Sequence, residues 1–205
     1  MNKLKIGELE DPRRVVFIGC APKLHRQYYD TPFNSNKPKA PTCWSSDSKA
    51  PDMTVKNKQA KFCTLCDHNV KGSGAGLSKA CKVHMKTAVC KGSALKHGPI
   101  QQLIISSYSL FSKGSDMGFK QYTNMLKTQG LSINSVLTKI KLIDDNGYPR
   151  VAFSPQSHLP REELDCVLER AKSNEVIECL NFAVGSVIVQ GKSMSDMQKL
   201  MGMSE

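Results

Sequence analysis

Residues Lys61–His84 read KFCTLCDHNVKGSGAGLSKACKVH, and the fold turns on what this stretch is. It has neither the period of a helix nor that of a strand. Cys63 and Cys66 make a C-x2-C turn, and Gly72, Gly74 and Gly76 give the chain freedom to fold back towards Cys81. Cys43 lies upstream in PTCWSS. A tetrahedral zinc site takes four Cys or His ligands, most simply one such turn and two ligands from nearby loops. Cys43, Cys63, Cys66 and Cys81 meet that requirement, with His84 or His68 as a substitute for one of them. The stretch therefore reads as a zinc-stapled insertion spanning about 42–84, and the regular elements on either side of it belong to one core.

Two other readings of the thiols compete. A redox C-x-x-C normally opens a helix after a strand, whereas here Asp67-His68-Asn69 leads into glycines. Ordinary buried thiols account for Cys20, Cys90, Cys166 and Cys179, which lie in apolar runs or on amphipathic faces, but not for the Cys63–Cys66 turn. Eight cysteines without an apolar signal segment at the start of the chain fit a reducing compartment and a metal. No apolar run approaches the ~18 residues of a membrane span, so no membrane partner is expected.

The 205 residues carry a formal net charge of +11, and the charge is uneven. From Lys56 to Lys96 there are nine lysines against one carboxylate, Asp67. A segment this basic repels itself unless it meets a polyanion, and nucleic acid is the partner that suits it. Upstream, Lys23, Arg26, Lys37 and Lys39 interleave with Tyr28, Tyr29 and Phe33, a pattern suited to base stacking over a phosphate track. The candidate nucleic-acid contacts are Lys23, Arg26, Tyr28, Tyr29, Lys37, Lys39, Trp44, Lys61, Phe62, Lys82, Lys86, Tyr108 and Lys113. Trp44 has two equal readings, packing against the metal site or stacking on a base. Lys82 and Lys86, at i and i+4 of one strand, are expected to share a face.

Around the insertion, Arg14–Cys20 (RVVFIGC) predicts a strand, followed by a polar loop from Lys23 to Pro41. A second strand is expected within Lys37–Ser46, a further one over Lys82–Cys90, and the strongest over Ile100–Phe111. Ser115 should cap a helix over Asp116–Gln129 that Gly130 stops. Val136–Ile143 and Tyr148–Phe153 read as a hairpin around Asp144-Asp145-Asn146-Gly147. Pro160 opens a helix to about Lys172 that should bury Leu164, Val167, Leu168 and Ala171. Residues 1–12 read as a flexible arm, 13–172 as the core, 173–190 as a C-terminal helix or strand, and 191–205 as a disordered tail. This order is that of a mainly β chain with helices, an OB-fold-like Greek-key barrel carrying its helix between the third and fourth strands.

The chain resembles the zinc-containing single-stranded-DNA-binding proteins of bacteriophages, the gene-32-protein type and its distant relatives. The resemblance rests on Cys43-Trp44-Ser45-Ser46, on Cys63-Thr64-Leu65-Cys66 with Asn69 and Gly72-Ser73, on Lys79-Ala80-Cys81, and on the runs SSYSLFSKGSDMGFKQYTNML and VLTKIKLIDDNGYPRVAF. It implies an OB core, a structural Zn2+, and non-enzymatic, sequence-tolerant binding of single-stranded DNA in phage replication or recombination, in the cytoplasm of the infected host. Members of that type end in an acidic tail that recruits replication proteins, whereas from Gly191 onward this chain has only Asp196 and Glu205. RNA and a replication or host protein are further candidate partners. Two alternatives stand beside this reading: a host-takeover protein that inhibits a host protein through its zinc module, and a zinc-stapled nuclease using His68 and Asn69. For the second, only Asp67, His68 and His84 stand near the cysteines to hold a catalytic metal.

Overall fold

The computed structural model describes residues 13–31, 39–145 and 148–181. The expected arm (1–12), the tail (191–205), residues 182–190 of the expected C-terminal element, Phe33 and Lys37 lie outside them, as does the Asn146-Gly147 turn. The chain is mainly antiparallel β with four helices among the described residues. The strands are β1 (Arg13–Cys20), β2 (His25–Tyr28), β3 (Cys43–Ser45), β4 (Lys82–Lys91), β5 (Gln101–Ser106), β6 (Val136–Asp145) and β7 (Tyr148–His158). They form one sheet in the order β3-β2-β4-β1-β6-β7, with β5 also paired to β4.

β1 is where the two faces of the sheet are clearest. Val15 and Phe17 point to one side, Val16 and Ile18 to the other, and all four are buried, as strand alternation requires when both faces are covered. On the first side lies the main core, in which Phe17, Phe119, Tyr122 and Phe153 pack with Val89, Leu103, Ile105 and Ile140. Helix α2 (Phe119–Thr128) fills it with Phe119, Tyr122 and Leu126, at i, i+3 and i+7. On the other side Val16, Ile18, Ala88 and Cys90 meet helices α3 (Arg161–Arg170) and α4 (Asn174–Leu180) through Val167, Val176 and Cys179. Gly19 admits α4 to β1, since a Cβ there would stand 3.1 Å from both Leu180 and Val176.

Tyr122 and Thr138 share a hydrogen bond of 2.7 Å between hydroxyls in the main core. Tyr122→Phe leaves the Thr138 hydroxyl buried without that partner, and is expected to cost about 1–2 kcal/mol in urea unfolding with an unchanged m-value.

The structure shifts several expected boundaries. Within Ile100–Phe111 the strand ends at Ser106, whose side chain accepts from the Ser109 amide and opens the short helix α1 (Ser107–Phe111). A helix buries Leu110 and Ser109 together, whereas a strand would place them on opposite faces. α2 starts at Phe119 rather than Asp116. The carbonyl of Asp116 accepts from Arg150 and that of Met117 from the Phe153 amide of β7, while the first helical bond runs from the Tyr122 amide to Gly118 O. Gly130 ends the turn after α2 at φ 72°, as glycine there allows. In α3 only Val167 of the four expected residues is buried: Ala171 is half-buried against the same cluster, Leu164 is half-buried and Leu168 is exposed, because the inward stripe is narrower than the sequence pattern suggests. The polar loop expected after Cys20 contains β2, and the strand sought in Lys37–Ser46 is the three-residue β3. These two do not complete the main sheet. They extend β4 beyond its pairing with β1 and carry the cysteine-bearing segment.

Among the described residues no pairing joins the β5 edge to the β7 edge. α1 lies between them instead: Ser109 Oγ accepts from the Val151 amide at 2.9 Å. Burying an otherwise open edge under a helix removes a template for intermolecular pairing. No helix among the described residues is long and apolar enough to cross a membrane.

Candidate functional site: a four-cysteine cavity beside β2

Cys43, Cys63, Cys66 and Cys81 line one cavity of about 20 Å³, together with Arg26, Tyr28 and Trp44. Cys43 opens β3, opposite Tyr28 of β2. Cys63 begins one 3-10 turn, and Cys66 lies between it and the next. The backbone fixes these positions: the Cys63 amide donates to Lys49 O at 2.8 Å and the Cys81 amide to His68 O at 2.8 Å. Asn69 ties the turn to the sheet. Its Nδ2 donates to Cys63 O at 2.7 Å, and its Oδ1 accepts from Arg26 Nη1 at 2.7 Å and Lys79 Nζ at 3.1 Å.

Burial raises the pKa of the Cys63 thiol above its usual value, and a hydrogen bond to Ser45 and the charge of Arg26 oppose this. Cys81 is raised for the same first reason and opposed by Arg26. The neighbouring thiols push both further up, which is the electrostatic sign of sulfurs gathered closely enough to repel as anions. Among the described residues no group of three or more His, Cys, Asp or Glu side chains stands in a finished metal-holding arrangement. What the fold supplies is a shared cavity, four soft donors, and two buried N–H groups at its wall, Trp44 Nε1 and Arg26 Nε, that have no hydrogen-bond partner. That donor set suits Zn2+, which prefers thiolates and tolerates N–H groups aimed at its sulfurs.

The two histidine substitutes lie elsewhere. His68 stacks on Tyr28 with ring centroids 3.8 Å apart, and its Nε2 meets Gln59 Oε1 at 3.1 Å. His84 is buried on β4 opposite His25 of β2, their rings edge to face at 6.0 Å. Neither lines the cavity.

The predicted nucleic-acid residues divide into two groups. Lys23, Tyr29, Lys39, Lys61, Phe62, Lys82, Tyr108 and Lys113 are exposed, and Lys61 Nζ sits 5.6 Å over the Phe62 ring. Four others are committed inside the protein. Trp44 is 9% exposed and packs with Cys43 and Val55, which decides between its two readings in favour of packing. Tyr28 has one face covered by His68. Arg26 faces the thiols. Lys86 does not share a solvent face with Lys82, for it is 8% exposed and its Nζ donates to Asn181 O at 2.7 Å beyond the end of α4. Two residues that the sequence reading passed over, Phe111 and Lys120, lie beside Tyr108 and Lys113, with Lys120 Nζ 5.9 Å from the Phe111 ring. No family model, no curated protein and no solved structure matches this chain.

Proposed function

We propose that the chain is a non-enzymatic, sequence-tolerant single-stranded-DNA-binding protein of phage replication or recombination, built on an OB-type barrel and stapled by one structural Zn2+. The observation that carries the reading is the convergence of four cysteines, dispersed over residues 43–81, on one cavity inside the most basic part of the chain. Cys43, Cys63, Cys66 and Cys81 would hold the metal, turning their sulfurs inward as thiolates, with Arg26 offsetting the negative charge of the set. When bound, the metal would serve to fold the segment, and the binding work would fall to the lysines around it.

The strand order supports the barrel. Reading β5-β4-β1-β6-β7 across the sheet, with α1 and α2 between β5 and β6, gives the connectivity of a five-stranded OB-fold into which β2, β3 and the cysteine segment are inserted. The nuclease alternative finds little support: His68 is stacked on Tyr28, and Asn69 holds Arg26, Lys79 and Cys63. A protein partner is the second reading, favoured by the exposed aliphatic side chains Leu65, Val70 and Leu77 on the same segment.

Fluorescence anisotropy of a labelled DNA strand, titrated with salt and competed with duplex DNA and with RNA, tests the proposal. Log K should fall linearly with log salt, by about 0.7 per phosphate neutralised. Lys82→Gln should flatten that slope by about one such unit, because the Lys82 ammonium is exposed and makes a single hydrogen bond, to Ser78 Oγ at 3.0 Å, among the described residues. Lys86→Gln should leave the slope alone and lower stability instead. Salt-independent binding, or equal affinity for duplex, would remove the reading and put the protein partner first.

A further inference from the structure

We propose that α1 carries a base-stacking ledge, formed by Tyr108 and Phe111, that makes the chain selective for unpaired strands; this rests on the single-strand reading above. Tyr108 and Phe111 are three residues apart on the helix, hence on one side of it, and are 43% and 47% exposed. Ser109 and Leu110, between them, are buried. The chain thus turns its two large rings outward and its smaller side chains inward, against the general advantage of burying aromatic area.

The ledge is held firmly. Ser109 Oγ accepts from the Val151 amide at 2.9 Å, and Arg150 Nη1 reaches Ser112 Oγ at 3.4 Å and Asp116 O at 3.0 Å. Gln121 clamps the following loop by exchanging hydrogen bonds with both backbone groups of Gly114, at 3.2 and 3.3 Å. Rings fixed in this way lose little freedom on meeting a flat partner.

The surroundings point to the class of partner. Lys120 Nζ lies 5.9 Å from the Phe111 centroid and Lys113 is exposed on the loop. The carboxylate in this loop, Asp116, is 4.0 Å from Lys141 Nζ. Exposed rings bordered by ammonium groups match a strand with a π-face on every base and a charge on every phosphate. A duplex keeps its base faces stacked inside and can offer only phosphates to the same surface.

The ledge is also well placed. Ser106, just before α1, is opposite His84 of β4, and His84 is opposite His25 of β2 on its other edge. The ledge and the cysteine segment therefore flank the start of β4, where the exposed Lys82 stands, about two strand spacings or ~10 Å across.

The test uses the full chain with a fluorescein-labelled oligo(dT) strand and a duplex of equal length. Tyr108→Leu and Phe111→Leu keep most of the bulk while removing the π-face, so thermal midpoint and zinc content report that each variant is folded. Each is expected to weaken oligo(dT) binding by about fivefold or more, the lower end of what one stacked base contributes, with the salt slope and duplex affinity unchanged. Wild-type binding to oligo(dT) that neither variant alters, or an equal loss on strand and duplex, overturns the ledge and leaves the parent reading in place. No binding by the wild type overturns both.

Discussion

Cys66→Ser is expected to abolish zinc binding and unfold the segment from β3 to Cys81 while the rest of the sheet survives. The parts differ in how much apolar surface holds them. The rest of the sheet has two clusters of its own, one around Phe17, Tyr122 and Phe153 and one around Val16, Ile18 and Val167. Among the described residues, the apolar cluster of the cysteine segment consists of Cys43, Trp44 and Val55, with Tyr28 against them. So small a cluster cannot offset the ordering entropy of a segment this long. A structural zinc contributes about 10–16 kcal/mol in comparable small units, which is enough. Elemental analysis should find about one Zn2+ per wild-type chain and none in the variant. Limited proteolysis should cut the variant between β3 and β4 and leave β1, β6 and β7 protected. Trp44→Ala should lose metal as well, since Trp44 packs beside Cys43. Wild-type protein purified without zinc, or a Cys66→Ser chain that retains it, would sink the metal centre.

Stability is expected to fall by about 3 kcal/mol as the pH drops from 6.5 to 4, through His25 alone. His25 is buried at the junction of β2 and β4, which lowers its pKa from 6.5 to about 4; the nearby Lys86 lowers it as well, and Asp52 opposes. The other ring against it is His84. Because the folded pKa lies below the unfolded one, the contribution is complete above pH 6.5. Between the two values the unfolded chain takes up a proton that the folded chain refuses, so stability is lost as the pH falls. Metal loss in acid would add to the fall in any chain, so the comparison is with His25→Gln. The variant should be less stable at neutral pH and should show a shallower decline in urea midpoint between pH 7 and pH 4.5. Parallel declines in the two proteins would refute the assignment to His25.

Much of the sheet was legible because its signals are local. The run RVVFIGC gives β1, the alternation of KVHMKTAVC gives β4, and the two runs around Asp144-Asp145 give β6 and β7. Pro160 with Glu162 and Glu163 marks the start of α3. The C-x2-C turn singled out the cysteine segment, and its four predicted cysteines do share a cavity. β2 was missed because HRQY has no apolar alternation; it is a strand because it can pair with both β3 and β4.

What the sequence by itself determined was which windows have the period of a strand or a helix, which thiols lie in a turn, and where the positive charge is concentrated. Only the tertiary structure decided which of those charges and rings remain in solvent. Lys86 and Lys82 look alike in sequence, yet Lys86 is covered because Asn181, 95 residues away, ends α4 over it. Trp44 and Tyr28 look like stacking residues and are taken up by Val55 and His68. Phe111, inside an apparent strand, is exposed because Ser106 starts a helix there. Backbone period and turn chemistry act over a few residues, so a short window carries them. Burial of a given side chain depends on whatever distant segment packs on it, and no window around that residue contains that segment.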